Sequence, residues 1–80
     1  MTTEELLAEL ENIFSQVLNK PSIKLTIDMT AKDVDGWDSL TNMQLMSEIE
    51  KHFNIRFKLH EIIKMKCVGD LCQTLLRKLS

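Results

Sequence analysis

The chain has no tyrosine, one tryptophan, one proline and two glycines. Scarce glycine and proline leave few turn signals and argue for helix over a strand-and-turn architecture. Aromatics make up only 5% of the residues, and no dense Lys/Arg cluster is interleaved with them. A nucleic-acid-binding surface is therefore not expected. Cysteine is limited to Cys67 and Cys72. They are not spaced as C-x-x-C, and as i and i+5 of one expected helix they project to different sides, so a disulfide is not expected. Both read as reduced thiols, at least one in or near the core. There is no secretory h-region and no apolar run long enough to span a bilayer, so membrane insertion is not expected and the cytoplasm is the expected location.

What is present describes one small domain over residues 1–80. Hydrophobic residues make up 44% and charged residues 28% of the 80, as in an ordinary globular chain. A domain of this size buries roughly 60–65% of its unfolded surface. That leaves little room for a deep lidded pocket and favours a binding, carrier or scaffold role over a self-contained enzyme. The formal net charge of −2 is unevenly spread. Residues 1–50 sum to −7 and residues 51–80 to +5. A partner docking on the acidic half is expected to be basic.

Taken in order, Thr2 and Glu5 form a capping box for a first helix. Leu6, Leu7, Leu10, Ile13, Phe14, Val17 and Leu18 trace its buried stripe, and Pro21 is expected to end it. From Lys20 to Asp38 no period is sustained. Ile23, Leu25 and Ile27 alternate as a short strand would, but no partner strand is visible. An ordered loop fits better, with Ile27, Met29, Val34 and Trp37 as anchors. Such a long connection in so small a domain is often functional. A second helix starts at Ser39 or Leu40 behind Asp38 as N-cap. Met43, Met46, Ile49, Glu50 and Phe53 mark one face, with Leu45 beside it, and Asn54 is the stop. A short third element surrounds Leu59, Ile62 and Ile63. A fourth helix opens near Val68 and Gly69, with Leu71, Leu75 and Leu79 as its stripe. No helix of this length is stable alone. The expected fold is all-α: a small four-helix bundle with a short third helix and a long loop between helices 1 and 2.

The chemistry concentrates in Asp35-Gly36-Trp37-Asp38-Ser39-Leu40. A hydrolytic triad around Ser39 fails on distance. His52 lies thirteen residues along the same helix, about 20 Å away at 1.5 Å per residue, and there is no G-x-S-x-G turn. No catalytic residue is assigned, and the two histidines read as surface residues. Asp28, Asp33, Asp35 and Asp38 do not follow the calcium-loop spacing, so no metal site is assigned. The helix after Ser39 offers no Arg or Lys in its first turns to meet nucleic-acid phosphates. Local physics alone leaves Ser39 as a helix N-cap or first-turn residue.

The surrounding sequence adds to this. Trp37-Asp38-Ser39-Leu40, with Asp33 and Gly36 before it, resembles the phosphopantetheine attachment motif of acyl carrier proteins. Glu48-Ile49-Glu50-Lys51-His52-Phe53-Asn54-Ile55 resembles the end of that family's second helix. Cys67-Val68-Gly69-Asp70-Leu71 resembles the opening of its last. The resemblance implies a four-helix bundle without catalytic residues of its own. It implies that a separate phosphopantetheinyl transferase uses coenzyme A and Mg²⁺ to place 4′-phosphopantetheine on Ser39. The arm's thiol then holds an acyl group as a thioester. Further implied partners are an acyl-loading ligase or synthase and acyltransferases. The implied docking residues are Asp38, Leu40, Met43, Gln44 and Ile62. Met43 and Met46 either pack the core or line a space that shelters the acyl chain. Thr41, Gln44 and Lys51 depart from the strongly acidic second helix of many fatty-acid carriers. Trp37 resembles carriers of specialised acyl, polyketide or aminoacyl pathways. Cys67 stands where the family often has a Thr or Ser cap. An aminoacyl or D-alanyl carrier is the alternative within the family, and an unmodified helical interaction adaptor the alternative outside it. A monomer is expected.

Overall fold

The structure is a computed structural model and describes residues 1–79. Four helices follow in order: α1 (Thr3–Leu18), α2 (Ser39–Phe53), α3 (Leu59–Lys64) and α4 (Val68–Leu79). No strand occurs among the described residues.

α1 opens on the expected capping box. The Thr2 hydroxyl accepts from the Glu5 amide at 3.1 Å, and the Glu5 carboxylate accepts from the Thr2 amide at 2.8 Å. Leu6, Leu10, Ile13 and Phe14 are its buried residues. The helix stops earlier than Pro21 predicts. Asn19 turns left-handed at φ 56°, and the amides of Asn19 and Lys20 close onto the carbonyls of Gln16 and Ser15. Asparagine tolerates this conformation because its short polar side chain bonds locally. Asn54 ends α2 the same way at φ 57°.

The connection over residues 20–38 is an ordered loop. Leu25 and Val34 are buried, and Met29 and Trp37 pack against the core. Ile27 corrects the expected anchor set, since its side chain is 50% exposed. It holds the loop through its backbone instead. The Gly69 amide donates to the Ile27 carbonyl at 2.9 Å, and the Val68 amide to the Met29 carbonyl at 2.8 Å. A Cβ on Gly69 would sit 3.0 Å from that Ile27 oxygen, so a side chain there would force the contact apart. The Leu25 amide donates to Glu11 Oε2 of α1 at 2.8 Å. The start of α4 and a carboxylate of α1 thus take the amide and carbonyl groups that a partner strand would otherwise pair.

On α2 the buried face is Leu45, Met46 and Ile49, with Phe53 packed beside them. Met43, expected on that face, points outward and is 55% exposed. It lies two residues, about 200° of helical turn, from Leu45, so both cannot face inward. Glu50 sits next to this stripe because its carboxylate accepts the Phe57 amide at 2.7 Å, tying the chain after Asn54 back to α2.

α3 contributes no fully buried residue. The Glu61 carboxylate accepts the Lys58 amide at 2.8 Å and pairs with Lys78 of α4 at 2.9 Å. α4 buries Val68, Leu71, Cys72, Thr74 and Leu75, while Leu79 is partly exposed. Cys67 precedes α4 rather than lying in it, which corrects the one-helix placement of the two cysteines. Its carbonyl accepts the first helical bond from Leu71, and Asp70 caps the adjoining Lys66 amide at 3.1 Å. Both thiols are free. Burial pushes the Cys72 thiol up, with nearby Cys67 adding to the shift, which keeps it protonated and inert.

Candidate functional site

The site is the junction where the long loop becomes α2. Gly36 takes φ +90°, a conformation that side chains resist, and lets the chain turn into Trp37. The indole meets Phe14 of α1 edge to face, with ring centroids 5.0 Å apart. Its Nε1 donates to Asn42 Oδ1 in the first turns of α2 at 3.0 Å. Trp37 therefore fixes the residue before the cap against two helices at once.

Asp38 is the N-cap. Its Oδ1 accepts from the amides of Leu40 at 3.0 Å and Thr41 at 2.9 Å. The box is closed by an unusual partner. The Thr41 hydroxyl accepts the Asp38 amide at 2.8 Å and donates to the Gly36 carbonyl at 2.8 Å. The Thr41 amide chiefly holds the Asp38 carboxyl below the usual carboxylate range; desolvation opposes it, and the Thr41 hydroxyl and the Leu40 amide add to the lowering. Asp38 is thus an anion at neutral pH, satisfied by its own helix.

Ser39 is the first residue of α2 and is exposed. Beside it runs a shallow groove of about 210 Å³, walled by Ala31, Trp37, Asn42, Met65 and Lys66. Groove residues Met65 and Lys66, the bond from Trp37 to Asn42 and the Thr41 bracket are not singled out by the sequence. The Asp-x-x-Thr spacing was the available signal for Thr41, and no local pattern marks the others.

The other polar candidates are engaged elsewhere. His52 lies in the last turn of α2 and pairs with Glu9 of α1, far from Ser39. His60 sits on exposed α3. Asp33 accepts the Thr30 amide at 3.0 Å. Asp35 pairs with Lys20 at 2.9 Å, and that ammonium holds its carboxyl below the usual range. Among the described residues, no three His, Cys, Asp or Glu side chains converge as metal ligands would.

The implied docking residues occupy different settings. Leu40 is 74% exposed, and Met43 and Gln44 follow it outward along α2. Ile62 is half-buried against the core, whereas its neighbours Leu59 and Ile63 are 69% and 67% exposed. The short α3 thus offers Leu59 and Ile63, and α2 offers Leu40 and Met43, as the large apolar side chains open to a partner.

Comparison with known proteins agrees with this geometry. Residues 8–75 match the family described as the phosphopantetheine attachment site. An acyl carrier protein of Exiguobacterium sibiricum is 32% identical over 71 residues, covering 89% of this chain and 90% of that one. The solution structure of a holo acyl carrier protein from Geobacter metallireducens superposes with a TM-score of 0.84 at 45% identity, covering 91% of this chain and 84% of that one. The crystal structure of an acyl carrier protein from Thermotoga maritima superposes with a TM-score of 0.85 at 28% identity, covering 96% and 89%. The family's prosthetic group is phosphopantetheine, and its members are carriers rather than enzymes. An exposed serine on a rigidly capped helix and a match spanning most of the chain together place this protein in the phosphopantetheine-bearing acyl carrier protein family.

Proposed function

We propose that Ser39 carries 4′-phosphopantetheine and that the chain ferries acyl intermediates as thioesters on that arm. The observation that carries this reading is the exposed Ser39 side chain at the first position of α2, set between the fixed residues Trp37 and Asp38. The residues present fit the group. The serine is open to an incoming enzyme, and a groove lined by Trp37, Met65 and the cationic Lys66 runs beside it. When bound, the arm supplies a terminal thiol that holds the cargo.

This chain's own residues do the positioning. Asp38 keeps α2 wound to its first residue, Trp37 ties that end to α1, and Leu40, Met43 and Gln44 present a face to enzymes. Ile62 supports the α3 part of that face from below, and Leu59 and Ile63 extend it. The partners in this reading are a phosphopantetheinyl transferase, an acyl-loading ligase or synthase, and acyltransferases. The protein acts as a cytoplasmic monomer. The pathway in this reading is a fatty-acid-like, polyketide or other specialised acyl one. Supporting this, Glu48 is tied to Lys51 at 3.7 Å and Thr41 is turned into the cap, which thins the acidic face of α2.

The cargo separates this from an aminoacyl carrier. Coexpression with candidate loading enzymes, followed by mass spectrometry of the thioester, should show an acyl group. An amino acid on the arm would replace this reading with the aminoacyl one.

A further inference from the structure

The attached phosphodiester is an anion, and the cap offers it no countercharge. The amides of Leu40 and Thr41, the usual anion donors of a helix start, are already taken by Asp38 Oδ1. Asp38 is itself an anion next in sequence to Ser39, so it repels a phosphate from the cap. Lys66 lines the same groove as Ser39 and is its only cationic residue. Lys66 is exposed, and the ion pairs among the described residues do not include it. Its backbone is not loose, because Asp70 accepts its amide at 3.1 Å and the next residues pin to the loop through Ile27 and Met29. The rest of the groove lining is Ala31, Trp37, Asp38, Asn42 and Met65.

We propose that Lys66 pairs with the phosphodiester on Ser39 and draws the first part of the arm into the groove against Trp37 and Met65. This deepens the attachment reading and rests on it. The pairing is a charge-assisted contact between a compact ammonium and a phosphate oxygen. Being exposed, it is weak and salt-sensitive, which suits an arm that must leave for each enzyme in turn. Lys66 is a positioning residue.

The test compares apo and holo protein, prepared with a phosphopantetheinyl transferase and coenzyme A and checked by intact mass. Lys66 side-chain NMR signals should move on modification at low salt and return toward their apo positions in about 0.5 M salt, where screening is short-ranged. Cross-peaks from the arm's gem-dimethyl group to the Trp37 ring and Met65 methyl should appear in the holo form. Lys66→Met should abolish those cross-peaks and Lys66→Arg should retain them. Both variants should match the parent in apo thermal midpoint and in the extent of modification. A correct mass shift with unmoved Lys66 signals, or cross-peaks that survive Lys66→Met, overturns the pairing while leaving attachment intact. Absence of any mass shift overturns both.

Discussion

At the scale of single residues, Asp38, Thr41 and Trp37 do most to set the site. Asp38→Ala removes the acceptor for two first-turn amides. It should lower the thermal midpoint and loosen the start of α2, seen as faster amide exchange at Leu40 and Thr41. Asp38→Asn keeps an acceptor and should retain most of the midpoint. The two variants also separate cap from charge. The carboxyls of Glu5, Asp35, Asp38 and Glu61 are all held below their ordinary values, chiefly by the Thr2 amide, the Lys20 ammonium, the Thr41 amide and the Lys58 amide respectively. A depressed native value means that the folded state binds protons less readily than the unfolded state. The stability these groups give is complete above the ordinary carboxylate range and is lost as pH falls through their native values. Thermal midpoints should hold from pH 7 to about 5 and fall below about 4, less steeply in Asp38→Asn. A midpoint that rises on acidification would contradict this.

At the scale of elements, the helices were legible because their signals are local and periodic. Thr2 with Glu5, Asp38 before Ser39, and Asn54 each announce a boundary through the chemistry of one or two side chains. The loop was less legible because it has no period. Ile23, Leu25 and Ile27 look alike in sequence, and Leu25 is the one buried because Glu11 holds its amide. The period of α2 puts Met43 on the buried face, and the resemblance gives Met43 and Ile62 a docking role; the direction each faces depends on where the helix is rotated by Leu45 and by the α3–α4 contacts. Leu45→Ala should cost about 2–5 kcal/mol in denaturant unfolding, as for a fully buried leucine. Glu11→Ala leaves the Leu25 amide without its acceptor and should cost about 1–3 kcal/mol, with increased exchange confined to the loop. Asn54→Ala, forced into the left-handed conformation, should cost about 1 kcal/mol.

At the scale of the whole molecule, the fold is a frame that holds one serine at an exposed helix start. Three helices, joined by Leu25 and Val34 of the long loop, supply the buried core, and α3, with nothing fully buried, presents Leu59 and Ile63 beside the basic residues Lys58 and Lys64. The chain's lengthwise charge asymmetry was visible from residue counts, but its strength at the surface was not. Asp35 is tied to Lys20 and Glu48 to Lys51, which leaves Asp38 as the unpaired acid of the three nearest the docking face. Electrostatic steering of basic partners should therefore be modest. The transferase rate should fall only a few-fold as salt rises from about 0.05 to about 0.5 M. No helix of the structure is long and apolar enough to cross a membrane among the described residues.

Intact-mass spectrometry reads directly whether Ser39 is the attachment point. The folded protein is incubated with a broad-specificity phosphopantetheinyl transferase, coenzyme A and Mg²⁺. One phosphopantetheine should be gained, located at Ser39 by fragmentation, and none in a folded Ser39→Ala variant. An unchanged mass in the folded parent, or an arm gained by Ser39→Ala, would contradict attachment at Ser39.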